Sequence, residues 1–249
     1  MSTPRLAAVI LAAGQGKRMK SDLPKVMHEV GGKPMVELVF RLSQKLGADP
    51  IVVIVGYGRE SVIRKLDELG ADHAVQEQQL GTGHAVLCAE EALKGFTGDV
   101  LVLAGDVPML TEKTLVSATE LHRSENAAVT IITAEAPDPT GYGRILRDDS
   151  GNIVGIREHR DANEKELLVR EINSGILLFN KEFLFDALKK TGNNNAQGEY
   201  YLTDVVFEAF NSGRKVAGYI APFVETTGVN SAEDLQTVRA LWEERSDLT

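Results

Sequence analysis

A glycine-rich, basic segment follows the first apolar run of the chain: Leu11-Ala12-Ala13-Gly14-Gln15-Gly16-Lys17-Arg18-Met19, with Lys20 and Lys25 just beyond it. Glycines let a backbone approach a ligand closely, and successive N–H groups at the end of a strand can form a nest for an anion. Arg18 and Lys25 supply the full positive charge that a nest lacks. Two familiar phosphate motifs are excluded by single residues. A dinucleotide fingerprint needs a third glycine where Met19 stands, and a Walker loop needs Ser or Thr where Arg18 follows Gly16-Lys17. A lone Gly-x-Gly equally suits a tight turn with solvated lysines, so the segment alone leaves both readings open. The formal charge of −9 argues against broad binding to nucleic acid or to an anionic membrane. A local reversal of sign on that background points to a small anion.

Asp106 lies just past an apolar run that ends at Leu103. A carboxylate at the C-terminal end of a buried strand is placed to meet a cation or a ligand. The same position suits a turn or helix-capping aspartate ahead of Pro108. His28, His73, His84, His122 and His159 show no metal-ligand spacing, so no zinc site is expected. Cys88 falls on the apolar side of a predicted helix and is read as packing, and no nucleophile-elbow sequence occurs. As the sole cysteine it cannot form an intrachain disulfide, which fits a cytoplasmic setting.

The elements that must position these residues follow from periodicity. A chain of 249 residues, 43% hydrophobic and 25% charged, can bury one substantial core. No apolar run is long enough to cross a bilayer. Residues 6–13 carry only Arg5 ahead of them and run into the glycine loop, so they read as a strand and not as a signal peptide. Continuous apolar runs at 6–11, 51–55, 100–103 and 127–132 are the pattern of strands covered on both faces. Met35, Leu38, Val39, Leu42 and Leu46 line one helical face, with Pro34 in the first turn and Gly47 at the end. Further helices are predicted over 59–69, 82–93 and 112–123. Strand and helix alternate, which implies an α/β, doubly wound, Rossmann-like and mostly parallel sheet with helices on both faces.

Beyond Ala134 the rhythm changes. Pro137, Pro139, Gly141 and Gly143 mark a loop, and residues 148–151 read as a hairpin turn between short strands. Strands are expected at 172–179 and 216–220, with helices at 181–189 and 200–210. A last helix starts near Ser231, where Ser-x-x-Asp matches an N-terminal cap. No linker or repeat divides the chain. It is read as one domain over 1–249, with halves of about 1–134 and 135–230 and a C-terminal helix at 231–245.

Several motifs, in order along nearly the whole chain, carry a resemblance to known proteins. They are L-A-A-G-Q-G-K-R-M-K-S-D-L-P-K (11–25), G-G-K-P-M (31–35), Q-L-G-T-G-H-A (79–85), G-D-V-P (105–108) and P-T-G-Y-G-R-I (139–145). E-H-R-D-A (158–162), E-I-N-S-G-I (171–176), N-N-N-A-Q-G-E-Y-Y-L-T-D (193–204) and G-V-N (228–230) follow. Together they resemble the nucleotidyltransferases that activate sugar phosphates. Within these the match is to the uridyltransferase domain of the bifunctional enzymes that make UDP-N-acetylglucosamine.

The resemblance implies UTP and N-acetylglucosamine 1-phosphate as partners and Mg²⁺ as cofactor. It places Arg18 and Lys25 on the phosphates as the catalytic cations, and the amides of Leu11, Ala12, Ala13 and Gly14 on the nucleotide. Gln76 is implied as the uracil reader, because an amide offers a donor and an acceptor to a base edge. Gly81 and Thr82 would begin a helix whose N-terminus helps to hold the nucleotide, with Ala104, Gly105 and Asp106 completing that wall. The metal would sit on Asp106 and Asn230. Gly143, Glu158 and Asn173, with Tyr201 and Thr203, are implied at the sugar, where Asn173 and Thr203 would meet the N-acetyl group. Glu158 also suits a surface ion pair, and Tyr201 a core aromatic on its helix.

The chain departs from the pattern in three places. Lys17 replaces a small hydroxyl residue, and Ala104 stands where tyrosine is usual, which removes one side-chain contact. The hexapeptide repeats of the bifunctional relatives are absent up to Thr249, so one activity is expected and the trimer-forming β-helix is not. Two other functions compete: transfer involving another sugar phosphate or nucleotide, such as glucose 1-phosphate or dTTP, and a catalytically silent nucleotide-sugar sensor. The close spacing of Arg18 and Lys25 disfavours the thymidylyl reading, and retention of Arg18, Lys25, Asp106 and Asn230 disfavours the sensor.

Overall fold

The computed structural model describes residues 4–245, so the ends of the expected domain, 1–3 and 246–249, lie outside the described residues. The chain opens with β1 (Leu6–Ala12) and a hairpin of β2 (Glu29–Val30) and β3 (Lys33–Pro34). It continues through α1 (Met35–Lys45), β4 (Ile51–Val55), α2 (Arg59–Leu69), β5 (Asp72–Val75), α3 (Thr82–Leu87) and β6 (Asp99–Ala104). Next come α4 (Glu112–Ser124), β7 (Val129–Glu135), β8 (Arg144–Arg147), β9 (Ile153–Arg157) and α5 (Glu164–Leu167). The last elements are β10 (Glu171–Asn180), α6 (Lys181–Leu188), α7 (Asp204–Asn211), β11 (Val216–Ile220) and α8 (Ala232–Glu244).

One sheet carries the order β11-β7-β10-β6-β1-β4-β5, with β8 paired to both β10 and β9. β1, β4, β5 and β6 are parallel, as are β7 and β11, while β10 runs antiparallel between β6 and β7. The doubly wound, mostly parallel sheet expected from the apolar runs is therefore present. Alternate residues of each central strand enter different cores. Ala7, Val9, Val52, Ile54, Val100 and Val102 face α3, α6 and α7. Ala8, Ile10, Val53, Val55, Leu101 and Leu103 face α1, α2 and α4. After β1 the chain moves outward to β4 and β5, then returns to β6 on the other side of β1. That reversal opens a crevice at the C-terminal ends of β1 and β6, the place where such sheets bind ligands.

Several boundaries differ from expectation for local reasons. β5 was not expected, because Asp72 and His73 sit on an exposed sheet edge and interrupt the apolar pattern. The β2–β3 hairpin, turning at Gly31 and Gly32 with positive φ, was also missed. Pro34 caps α1 instead of entering its first turn. α3 ends at Leu87 and not at Leu93, because bonds to the third residue back take over: Ala89 to Val86 and Glu90 to Leu87, both 3.0 Å. α7 begins at Asp204 and not at Tyr200. The Tyr200 amide and carbonyl are instead bonded to Leu80 and Gly83, each at 2.8 Å, which ties this segment to the start of α3.

Candidate active site

The crevice is bounded first by the loop after β1. Leu11 and Ala12 pair with neighbours inside the sheet, and the Leu11 carbonyl accepts the Gly105 amide at 2.9 Å. The strand thus ends at Ala12, one residue past the apolar run and one short of the 6–13 stretch read as a strand, and the amides open to a ligand begin at Ala13. Among the described residues, none accepts from the amides of Ala13, Gly14 or Gln15. An ideal Cβ on Gly14 would meet nothing within 4 Å, whereas one on Gly16 (φ +62) would lie 2.7 Å from the Lys25 Cβ. Gly16 therefore serves the turn and the approach of Lys25. A 3₁₀ turn, Lys17–Met19, follows; it buries Met19 and leaves Lys17 and Arg18 exposed.

Three distant segments meet beside this loop. The Lys25 ammonium, on a 3₁₀ turn after Pro24, donates to Asp106 Oδ2 and, at 3.1 Å, to Asn230 Oδ1. The Lys25 and Asp106 side chains are only 17% and 15% exposed. Asp106 does sit in a turn, since the Val107 amide bonds to Ala104, but its carboxylate caps nothing and is turned to Lys25. Its carbonyl accepts the Val229 amide at 2.9 Å, which brings in the Gly228-Val229-Asn230 segment. Asp234, reciprocating the Ser231 cap of α8, accepts the amides of Asn230 and Ser231 at 2.9 and 2.8 Å. A carboxylate oxygen and an amide oxygen thus converge on one cation. Hard oxygen donors of this kind fit Mg²⁺.

A cleft of about 310 Å³ opens from the convergence point. Leu11, Ala12, Ala13, Gly14, Lys25, Ala104 and Asp106 line one side, and Gln76, Gly81 and Thr82 the other. Gly105 lies behind the wall, packed on β1, where an added Cβ would come within 3.0 Å of the Leu11 carbonyl. Gln76 is 4% exposed, and its Nε2 lies 3.0 Å from both the Gly81 carbonyl and His84 Nδ1. The donor end of the amide is therefore taken, and only the acceptor remains of the expected pair. Gly81 and Thr82 do begin α3, but the Thr82 hydroxyl accepts the Leu202 amide at 3.0 Å and is committed to the Tyr200–Leu202 segment. Gly81 (φ +111) must be glycine, since a Cβ would sit 2.5 Å from the Tyr200 carbonyl.

Most of the residues assigned to a sugar also meet. The Gly143 carbonyl accepts the Asn173 amide at 2.9 Å, and a Cβ on Gly143 would come within 3.5 Å of Asn173 and Glu158. A bulge in β10 places Asn173, whose Oδ1 accepts the Gly175 amide at 3.0 Å. Glu158 is not a surface ion-pair residue. It is half-buried and accepts from the Thr203 hydroxyl at 3.1 Å. Burial, with repulsion from Asp161, Asp204 and Glu199, pushes its carboxyl above the usual range. Tyr201 is buried but not helical, and its hydroxyl is bonded to Gln197 at 2.9 Å and Asp161 at 3.3 Å. It borders a separate hollow of about 300 Å³ shared with Glu158, Asp161 and Asp204.

Gln79, Glu199 and Tyr142 were missed. Gln79 and Glu199 line the cleft and sit inside motifs already singled out, Q-L-G-T-G-H-A and N-N-N-A-Q-G-E-Y-Y-L-T-D. Burial, then the charges of Asp234 and Asp106, raise the Tyr142 phenol against the opposing pull of Arg18, so this ring stands within the field of the site. Cys88 is half-buried, donates to the His84 carbonyl at 3.3 Å and is pushed up by burial, which leaves it a packing residue.

Known proteins resemble this chain in sequence and in fold. The nucleotidyl transferase family profile matches residues 7–249. The bifunctional protein GlmU of an Exiguobacterium species is 51% identical over 243 residues, 96% of this chain and 53% of that protein. The one from Halalkalibacterium halodurans is 53% identical over 224 residues, 90% of this chain and 49% of that protein. The chain thus spans about half the length of the curated relatives it matches. In fold it is similar to the inositol-1-phosphate CTP transferase from T. maritima (TM-score 0.73, 19% identity, 100% and 98% of the two chains). It is likewise similar to a UDP-glucose pyrophosphorylase solved with UDP-glucose (TM-score 0.75, 19% identity, 98% and 100%).

Proposed function

The chain belongs to the nucleotidyl transferase family, and from that premise we propose that it transfers UMP from UTP to N-acetylglucosamine 1-phosphate. The products are UDP-N-acetylglucosamine and pyrophosphate. One observation carries the reading: Lys25, Asp106 and Asn230, far apart in the chain, meet at one point beside a loop of unpaired amides.

A phosphate monoester has a second pKa of about 6, so the sugar phosphate is already ionised at neutral pH and needs no general base. A phosphate oxygen attacks the α-phosphorus, a new P–O bond forms, and the bond to the β-phosphate oxygen breaks as pyrophosphate leaves in line. Repulsion among anions is the obstacle, so positioning and charge neutralisation carry the catalysis. The amides of Ala13 and Gly14 receive the triphosphate, and Arg18 and Lys25 offset its charge. Asp106 and Asn230 would hold Mg²⁺, which when bound neutralises phosphate oxygens. Gln76 meets the uracil; Gly143, Glu158, Asn173 and Thr203 meet the sugar, and the two halves act as one unit. A cytoplasmic setting goes with this reading.

Pyrophosphate release measured across several triphosphates and several sugar 1-phosphates, with Mg²⁺, tests the proposal. UTP with N-acetylglucosamine 1-phosphate is expected to be the fastest pair. A faster reaction of dTTP with glucose 1-phosphate would replace it with the thymidylyl reading. No turnover by any pair, together with binding of UDP-N-acetylglucosamine, would make the chain a sensor.

A further inference from the structure

Which end of the Gln76 amide faces the cleft decides which base edge it can pair with, since one end only donates and the other only accepts. Gln76 follows β5, and its own amide is anchored to the Val55 carbonyl at 2.8 Å. Its side chain has two neighbours, the Gly81 carbonyl and His84 Nδ1, both 3.0 Å from Nε2. A carbonyl can only accept, so the NH₂ end must face Gly81. His84 Nδ1 must then accept as well, which puts the imidazole proton on Nε2, an atom with no hydrogen-bond partner among the described residues. Both N–H groups of the Gln76 amide are consumed. Oε1 is left, without a donor among the described residues, on a side chain that lines the cleft.

On this geometry, and building on the uridylyl reading above, we infer that His84 is a positioning residue for base selection. By accepting one Gln76 N–H it helps to keep only the amide oxygen turned to the nucleotide. Uracil carries a donor at N3 and pairs with that oxygen. Cytosine carries a lone pair at N3 and meets it acceptor to acceptor, which a buried site rejects. If the amide rotated to suit cytosine, Oε1 would oppose the Gly81 carbonyl, and His84 would have to surrender its present tautomer. His84 therefore adds to the cost of the wrong base without touching any base.

The test compares UTP, dTTP and CTP in calorimetric affinity and in kcat/KM for the wild type, His84→Leu and His84→Asn. Leucine removes the acceptor, whereas the asparagine Oδ1 sits where His84 Nδ1 sits. The UTP-to-CTP ratio is expected to fall roughly three- to tenfold in His84→Leu, the range of one neutral hydrogen bond, and to recover in His84→Asn. dTTP, which shares the N3 donor, should follow UTP. An unchanged ratio in His84→Leu overturns the inference, as does an equal loss for all three nucleotides. A wild type that favours CTP overturns it together with the uridylyl reading. A uracil-selective wild type that prefers another sugar defeats only the sugar assignment, because the base ratio still reports on His84.

Discussion

Strand β6 carries an aspartate at its start and another just past its end, and the two have opposite surroundings. Asp99 accepts from Arg123 at 2.8 Å and stands 3.7 Å from His122, whose other nitrogen lies 2.8 Å from the Thr130 hydroxyl. Arg123 also donates to the Pro4 carbonyl at 2.8 Å, and His122 and Thr130 are 2% and 0% exposed. Burial alone would raise the Asp99 carboxyl, but hydrogen bonds and charge from His122 and Arg123 together hold it below the usual range. Asp106 is also paired to a cation, yet it opens on the cleft beside unpaired amides and the exposed Arg18. Satisfied polar groups make one end of the sheet rigid and closed. The other end holds groups whose partners must arrive with a ligand.

Substitutions at the two aspartates should separate these roles. Asp106→Ala is expected to lower pyrophosphate release at least about a thousandfold. Its unfolding free energy should fall less than that of Asp99→Ala, because Lys25 lines the open cleft and keeps Asn230 as a partner. An unchanged rate would remove Asp106 from the metal site. Asp99→Ala should do the reverse. Breaking a buried, hydrogen-bonded charge pair costs about 3 kcal/mol of stability, read by urea denaturation, while kcat and KM of the folded fraction hold. A kinetic defect at full stability would show that the two ends are coupled.

Glu158→Gln sharpens the contrast within the open end. KM for the sugar phosphate should rise roughly tenfold while KM for UTP holds, because one charged hydrogen bond is weakened on one substrate only. Equal effects on both substrates would move Glu158 out of the sugar site.

The smallest expected effect is the pH dependence of stability, which should take opposite signs at the two places. Glu158 and Asp204 have raised folded-state values, mainly through burial, so the folded chain binds protons more readily than the unfolded one. Acidification from neutrality toward the ordinary carboxylate range should therefore stabilise the protein through these groups. Asp99 has a depressed value, so its contribution is present above the ordinary aspartate value of 3.8 and is lost as pH falls through the lower folded one. Urea midpoints against pH should show the first slope vanish in the Glu158→Gln, Asp204→Asn double variant and the second in Asp99→Asn. Retention of either slope would reject that assignment.

The legibility of the sequence follows the same division. β1, β4 and β6 were readable because strands covered on both faces must be continuously apolar. β5 was not, because an edge strand can keep Asp72 and His73 in water. The residues of the glycine loop after β1 were readable, but the engagement of the Gln76 amide and the Thr82 hydroxyl by other protein groups was not. The Thr82 bond comes from the Tyr200–Leu202 segment folding back on α3, a contact between residues more than a hundred positions apart, and the Gln76 bonds come from the turn that sets Gly81 and His84 beside the end of β5.

By itself, then, the sequence determined the alternation of elements, the glycine loop and the types of group available for phosphate chemistry, because local periodicity and backbone freedom are properties of neighbouring residues. Tertiary structure alone decided that Lys25 would bridge Asp106 and Asn230, separated from it by 81 and 205 positions. It also decided that Asp99 would be sealed and Asp106 left open. Burial and pairing depend on which segments the sheet order brings together, and no window along the chain contains that information.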